Sequence, residues 1–193
     1  MNLFHRWYCG SARWRTALHD EYLPGVLRGL ELGDDVLEIG PGPGAATDWL
    51  RARVARLTSL EIDPRLAGAL RRRLAGTNVA VIEGDATRMP FPDASFSAAL
   101  AFTMLHHVPA ELQDALLREA ARVLRPGCVF AGMDSAPGLV WNLYHLGDDR
   151  NPVDPATFGA RLEAAGFVGV RVRTAKAGFS WRARARVSDL SRP

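Results

Sequence analysis

Apolar residues in this chain gather into short continuous runs, separated by stretches in which they recur at helical intervals. Strands are read at residues 35–39, 57–62, 78–83, 96–102 and 128–133, the first of them mainly apolar along its length. Such a run suits a strand covered on both faces. Between them, residues 45–54, 64–75 and 109–124 predict helices; the clearest is 109–124, where Leu112, Leu116, Ala120, Val123 and Leu124 form one stripe. Asp63-Pro64 and Asp154-Pro155 each offer a capping acid followed by a proline preset for a first turn. The helix opened by the second pair ends at Gly166, a natural left-handed terminator. Arg125-Pro126-Gly127 reads as a sharp stop, residues 1–31 as aromatic-rich and mainly helical with Pro24 breaking the run, and residues 135–153 as a loop or lid. Strands at 167–173 and 179–187, joined by an Ala-Lys-Ala-Gly turn, make a closing hairpin with an antiparallel last strand. Alternating strands and helices predict an α/β fold, a mostly parallel sheet with helices on both faces. No repeat, linker or low-complexity tract divides the chain, so a single domain over 1–193 is expected, with 1–31 as a helical cap and 135–153 on the substrate side.

The first strand leads into chemistry. Val36-Leu37-Glu38-Ile39 runs into Gly40-Pro41-Gly42-Pro43-Gly44 and then a helix. Glycine permits a tight turn and lets a ligand approach the loop's amides. The position is the carboxyl end of a parallel strand, where open α/β sheets bind ligands. Alone, the loop is ambiguous, because Gly40, Gly42 and Ala45 also satisfy a dinucleotide fingerprint.

Composition narrows the setting. The 193 residues carry a net charge of +3, nearly all from arginine, with Lys176 the sole lysine. The clusters Arg71-Arg72-Arg73 and Arg182, Arg184, Arg186 read as solvated faces rather than a nucleic-acid surface. Cys9 and Cys128 make neither a disulfide framework nor a metal cluster. No apolar run approaches a membrane span, and the first residues lack a signal peptide's apolar core, so a cytoplasmic protein is expected. No metal is expected: Asp148-Asp149 has no second carboxylate cluster to complete a hard-cation site.

Two acids extend the loop. Glu61 ends the second strand, where a carboxylate can accept hydrogen bonds from ribose hydroxyls. Asp85, in Gly84-Asp85-Ala86, could accept from an adenine amine while the Ala86 amide donates to a ring nitrogen. With Met89-Pro90-Phe91-Pro92-Asp93, Leu105-His106-His107-Val108 and Arg122-Val123-Leu124-Arg125-Pro126-Gly127 following in order, the chain resembles a class I S-adenosylmethionine-dependent methyltransferase of the type 11, ubiquinone/menaquinone C-methyltransferase-like group. The resemblance covers roughly residues 30–175. It implies a seven-stranded, Rossmann-like sheet in the order 3-2-1-4-5-7-6 with strand seven antiparallel. It also implies that Gly40, Gly42 and Gly44 hold the methionine part of S-adenosylmethionine while Glu38 orients its ammonium. Glu61 would then take the ribose, Ile62 the adenine face, and Asp85 and Ala86 the adenine edge, with Phe102 close to the methyl. Two positions depart from the family pattern: Ser97 stands where Asp is usual, and Cys128 where a second Gly is usual.

The acceptor is less legible. His106 and His107 follow strand four and are the candidate bases for an acceptor that must lose a proton. Trp7, Tyr8, Trp14, Trp141, Tyr144 and His145, with Asp134 at the end of strand five, could line an apolar or aromatic pocket. A small-molecule acceptor is therefore expected, without nucleic acid; a homodimer is left open. Three alternatives stand beside this reading. A macromolecular methyltransferase is one, although Ala101-Phe102-Thr103-Met104 lacks the Asn/Asp-Pro-Pro-Tyr of enzymes that methylate planar amino nitrogens. A nicotinamide dehydrogenase fits the first loop and Glu61 only, and a non-catalytic cofactor-binding protein is the third.

Overall fold

The computed structural model describes residues 11–136, 151–175 and 178–187. Seven strands form one sheet: β1 (Asp35–Ile39), β2 (Arg56–Glu61), β3 (Val79–Glu83), β4 (Phe96–Phe102), β5 (Leu124–Ser135), β6 (Phe167–Ala175) and β7 (Gly178–Ala185). Their spatial order is β3-β2-β1-β4-β5-β7-β6, as the family resemblance implied. β7 runs antiparallel to both β5 and β6, while the other pairs are parallel.

The apolar runs explain the middle of the sheet. Every residue of β4 is buried. Ala99 and Ala101 face one hydrophobic cluster with Leu37, Ile39 and Phe130. Ala98, Leu100 and Phe102 face another, built with Val36 and the N-terminal helices. The first cluster is covered by α5 (Ala110–Val123) and α6 (Pro155–Ala164), whose Leu116, Leu117, Phe158 and Leu162 are buried. The second is covered by α1 (Ala12–Ala17), a π-turn (Leu18–Tyr22), α2 (Leu23–Leu27) and α3 (Ala45–Leu50). The remaining helix, α4 (Pro64–Arg73), packs Ala67 and Leu70 with Val81 of β3. Asp63 caps α4, accepting from the amides of Arg65 and Leu66, and Asp154 caps α6 through Ala156.

Three local expectations change. Pro24 does not break the N-terminal run; it lies in the first turn of α2, where no donor is needed, and the wider π-turn leads into it. The helix expected over 45–54 stops at Leu50. Arg125-Pro126-Gly127 ends α5 but lies inside β5: Leu124 pairs with Phe96 and Val129 with Ala98, so the extra residues bulge, with Gly127 at φ 79°.

Both departures from the family pattern have a place in the packing. Ser97 Oγ accepts the Asp35 amide at 3.0 Å and lies 2.7 Å from the Leu32 carbonyl, to which it donates. It thereby ties the start of β1 to β4. Cys128, half-buried, packs against the first cluster. At the amino end of β1, Asp35 bridges Arg56 and Arg125, whose guanidinium hydrogen bonds hold its carboxyl well below the usual range. All this lies at the opposite edge from the strand ends that carry the glycine loop.

Candidate active site

The order of the sheet reverses between β1 and β4, and a crevice opens there at the carboxyl ends of the strands. It is a cavity of about 540 Å³, within the usual size of small-molecule sites. Its floor is the glycine loop. Gly40, Gly42 and Gly44 have φ of 67°, 55° and 88°, a left-handed backbone that costs other residues roughly 1–2 kcal/mol each. That is the reason for glycine at alternate positions. Their amides, however, serve the fold: Gly40 donates to the Leu60 carbonyl, Gly42 to Glu61 Oε2 and Gly44 to the Pro41 carbonyl, each at 2.9 Å. The glycines thus provide shape rather than free donors.

The three glycines also differ in what surrounds them. A Cβ on Gly42 would meet nothing within 4 Å, so this part of the loop faces open space. A Cβ on Gly40 would lie 2.9 Å from Met104 Cβ. Gly44 is not on the cavity wall, contrary to its expected role; a Cβ there would strike Arg73 and Leu70 of α4 at 2.4 and 2.5 Å.

Glu38, in β1, is 1 % exposed and stands on the cavity wall. Its Oε2 accepts from Thr47 and Ser59 hydroxyls, both at 2.7 Å, while Oε1 has no partner. Burial raises its pKa from 4.5 to about 7, against the lowering effect of those hydroxyls. A carboxyl in this state is prepared for a cationic or donating ligand group. Glu61 Oε1 accepts the Asp63 amide and Oε2 the Gly42 amide, both at 2.9 Å, so one side chain fixes the glycine loop and the turn after β2.

Ile62, 67 % exposed, follows Glu61 on the cavity wall, which Leu112 of α5 also lines. Asp85 is exposed and folds its own turn by accepting the Thr87 amide and hydroxyl at 2.8 Å. Ala86 and Phe102 also line the cavity.

Comparison with known proteins decides the class: residues 37–132 match the methyltransferase-domain family of type 11. This stretch is a methyltransferase domain of that family. The family is one of S-adenosylmethionine-dependent methyltransferases. Two curated relatives illustrate its breadth. A protein of Thermococcus onnurineus named "Probable ribosomal RNA small subunit methyltransferase A" is 48 % identical over 60 residues, 31 % of this chain and 22 % of that one. A demethylmenaquinone methyltransferase from Tropheryma whipplei is 34 % identical over 120 residues, 61 % of this chain and 46 % of that one. The chain spans less than half the length of either. Among solved structures, a Pyrococcus horikoshii protein superposes with a TM-score of 0.79 at 15 % identity, covering 96 % of this chain and 100 % of that one. The trans-methyltransferase CalH, solved with S-adenosylhomocysteine, superposes with a TM-score of 0.66 at 22 % identity, covering 79 % and 51 %.

Within the methyltransferase domain and its flanks, the expected site residues separate. Glu38, Gly40, Gly42, Glu61, Ile62, Asp85, Ala86, Phe102 and His107 share the cavity wall. His106 does not: it is 1 % exposed, and its Nδ1 lies 2.5 Å from Asp134 Oδ1. Asp134, expected to face the pocket, is fully buried and engaged with His106, because β5 carries it beneath the turn after β4. Trp14 lines the cavity as expected; Trp7, Tyr8, Trp141, Tyr144 and His145 lie outside the described residues.

Sequence reasoning missed four participants. Leu18 joins Trp14 on the wall, and His19 Nε2 donates to the Ala45 carbonyl at 2.7 Å, fastening the N-terminal segment over α3. Thr103, on the wall, holds φ 52°, an outlier for a β-branched residue. Gln113, 2 % exposed, braces the turn that carries His107. Only the helical phase of Gln113, in the middle of the apolar stripe of α5, offered a signal. No helix among the described residues is long and apolar enough to cross a membrane. No metal-binding group of three His, Cys, Asp or Glu occurs among them.

Proposed function

We propose that this protein transfers the methyl group of S-adenosylmethionine to a small, apolar or aromatic acceptor. The observation that carries the reading is Glu38, whose buried Oε1 has no partner, on the wall of a cavity whose next walls are the glycine loop and Glu61. A cationic methionyl ammonium fits that oxygen. In this reading Gly40 and Gly42 shape the methionine site, with Gly44 seating the loop on α4. Glu61 has lone pairs left for ribose hydroxyls, Ile62 covers an adenine face, and Asp85 with Ala86 reads the adenine edge. Phe102 lies towards the methyl.

When bound, the cofactor supplies an already activated methyl on a sulfonium. The protein's own work is alignment and exclusion of water, and positioning of this kind can lower a barrier by up to ~7–11 kcal/mol. Trp14, Leu18, Phe102 and Met104 give the remaining wall an apolar character suited to a flat or hydrocarbon acceptor. His107, half-buried on the same wall, takes the proton of a hydroxyl or carbon acid.

The test is binding followed by transfer. S-adenosylhomocysteine should bind the purified chain, and labelled methyl should pass to one of a panel of aromatic, quinone-like and thiol acceptors. A second reading, methylation of RNA, draws on the ribosomal RNA methyltransferase relative. Label found in RNA and absent from every small acceptor would favour it.

A further inference from the structure

We propose that Asp134 and Gln113 are positioning residues that hold the turn Leu105–His107 so that the His107 ring meets the acceptor end of the cavity; this rests on the methyl-transfer reading above. Two clamps reach that turn from different elements. From β5, Asp134 Oδ2 accepts the His106 amide at 3.0 Å, and Oδ1 accepts from His106 Nδ1 at 2.5 Å and from the Ser135 amide at 2.7 Å. The carboxylate thereby sets both the backbone and the tautomer of His106, with the proton on Nδ1. The His106 ring then lies 4.2 Å from the His107 ring, inclined at 46°, and forms the surface on which it rests.

From α5, Gln113 Nε2 donates to a ring of three carbonyls, Leu105 at 3.3 Å, Val108 at 3.2 Å and Asn151 at 2.8 Å. Its Oε1 accepts from Arg161 at 3.1 Å, which fixes the amide's orientation. The Asn151 amide in turn donates to the His106 carbonyl at 3.1 Å.

Packing alone does not account for this arrangement. Asp134 and His106 are 0 % and 1 % exposed, and removing a carboxylate and an imidazole from water is costly where an apolar pair would fill the space. The chain also enters the turn through Thr103 at φ 52°, a backbone that would relax if nothing held it. What the clamps hold is chemically distinct. Among the described residues the cavity wall has the carboxyls of Glu38, Glu61, Asp63 and Asp85, one imidazole, that of His107, and no guanidinium. The imidazole is the nitrogen base on that wall, and its aim matters on the scale of ~0.5 Å.

The test is nitrogen–proton correlation spectroscopy of the histidine rings in the full chain, as wild type, Asp134→Asn and Gln113→Met, each with and without S-adenosylhomocysteine. The wild type should show an exchange-protected His106 Nδ1 proton, and Asp134→Asn, in which an NH2 replaces one of the two accepting oxygens, should shift it or open it to exchange. Both variants should shift the His107 ring nitrogens, while affinity for S-adenosylhomocysteine stays within about twofold, because the cofactor contacts are separate. Unchanged His107 nitrogens in the folded variants would overturn the proposal. So would a loss of affinity of about tenfold, since the clamps would then support the whole cavity. If Asp134→Asn does not fold, Gln113→Met carries the test alone. Failure of the wild type to bind S-adenosylhomocysteine would remove the methyl-transfer reading; the ring nitrogens of the unliganded proteins would still decide the positioning role.

Discussion

The Gly42 amide donates to Glu61 Oε2 across 2.9 Å, joining the glycine loop of β1 to the end of β2 before any ligand is bound. With the Asp63 amide on its other oxygen, Glu61 shapes the site itself, and in the proposed reading it also takes the ribose. Glu61→Ala should therefore do double damage. Two backbone amides lose their acceptor, costing about 1–3 kcal/mol for each left unsatisfied, and affinity for S-adenosylhomocysteine should fall tenfold or more. Calorimetric titration and thermal melting read the two effects; unchanged affinity would remove Glu61 from the site.

The three glycines should not respond alike. Gly42→Ala adds a methyl to open space and should cost only the left-handed backbone penalty, roughly 1–2 kcal/mol. Gly44→Ala adds the same penalty and a collision with Arg73 and Leu70, so its melting temperature should be the lower of the two. Gly42→Ala should instead show its main effect on cofactor affinity. Equal melting temperatures for the two variants would contradict this division between a cavity-facing and a helix-facing glycine.

Glu38 predicts a pH dependence. Its folded pKa of about 7 stands above the ordinary 4.5 because burial opposes ionisation. Between these values the folded protein keeps a proton that the unfolded chain releases, so stability falls as pH rises through the window and levels above it. The whole change is on the order of 3 kcal/mol. A ligand ammonium beside Oε1 favours the carboxylate, so binding of S-adenosylhomocysteine should release a proton and tighten from about pH 5 to about pH 8. Titration in buffers of different ionisation heats counts that proton. Glu38→Gln should lose both slopes; a wild type with flat affinity would contradict the pairing.

Much of this site was visible in the chain because its parts are local. A glycine at each positive φ of a five-residue loop, an acid one residue past an apolar run, and a cap followed by proline are short-range signals. They bring Gly40, Gly42 and Glu61 to one cavity wall and set the helix starts at Asp63 and Asp154, while Glu38 entered through the family resemblance. The sheet order came from the family resemblance, with the closing hairpin read separately from its turn. What the chain hid is long-range. His106 and His107 are neighbours in sequence and look equivalent. Asp134, 28 positions away, decides that one is buried while the other lines the cavity. The family resemblance put Gly44 with the methionine part of the ligand, and its close approach to Arg73 and Leu70 of α4 could not be read from the chain. Arg125-Pro126-Gly127 looked like a stop because a bulge cannot be told from a break without its partner strand.

At the acceptor end, His107→Gln keeps a polar side chain of similar reach and removes the base. Once an acceptor is found, turnover should fall by about 10²–10⁴ while affinity for S-adenosylhomocysteine is kept. Single-turnover transfer of labelled methyl reads the first and calorimetry the second. Wild-type turnover in His107→Gln would leave alignment alone as the protein's contribution.

The most direct test of the whole account is the melting temperature of the purified chain with S-adenosylhomocysteine, set against NAD at the same concentration. A ligand at 100 times its dissociation constant stabilises by about 2.7 kcal/mol. For a protein of this size that is a rise of roughly 5–10 °C. The melting temperature should rise with S-adenosylhomocysteine and stay unchanged with NAD. A rise with NAD and none with S-adenosylhomocysteine would contradict it.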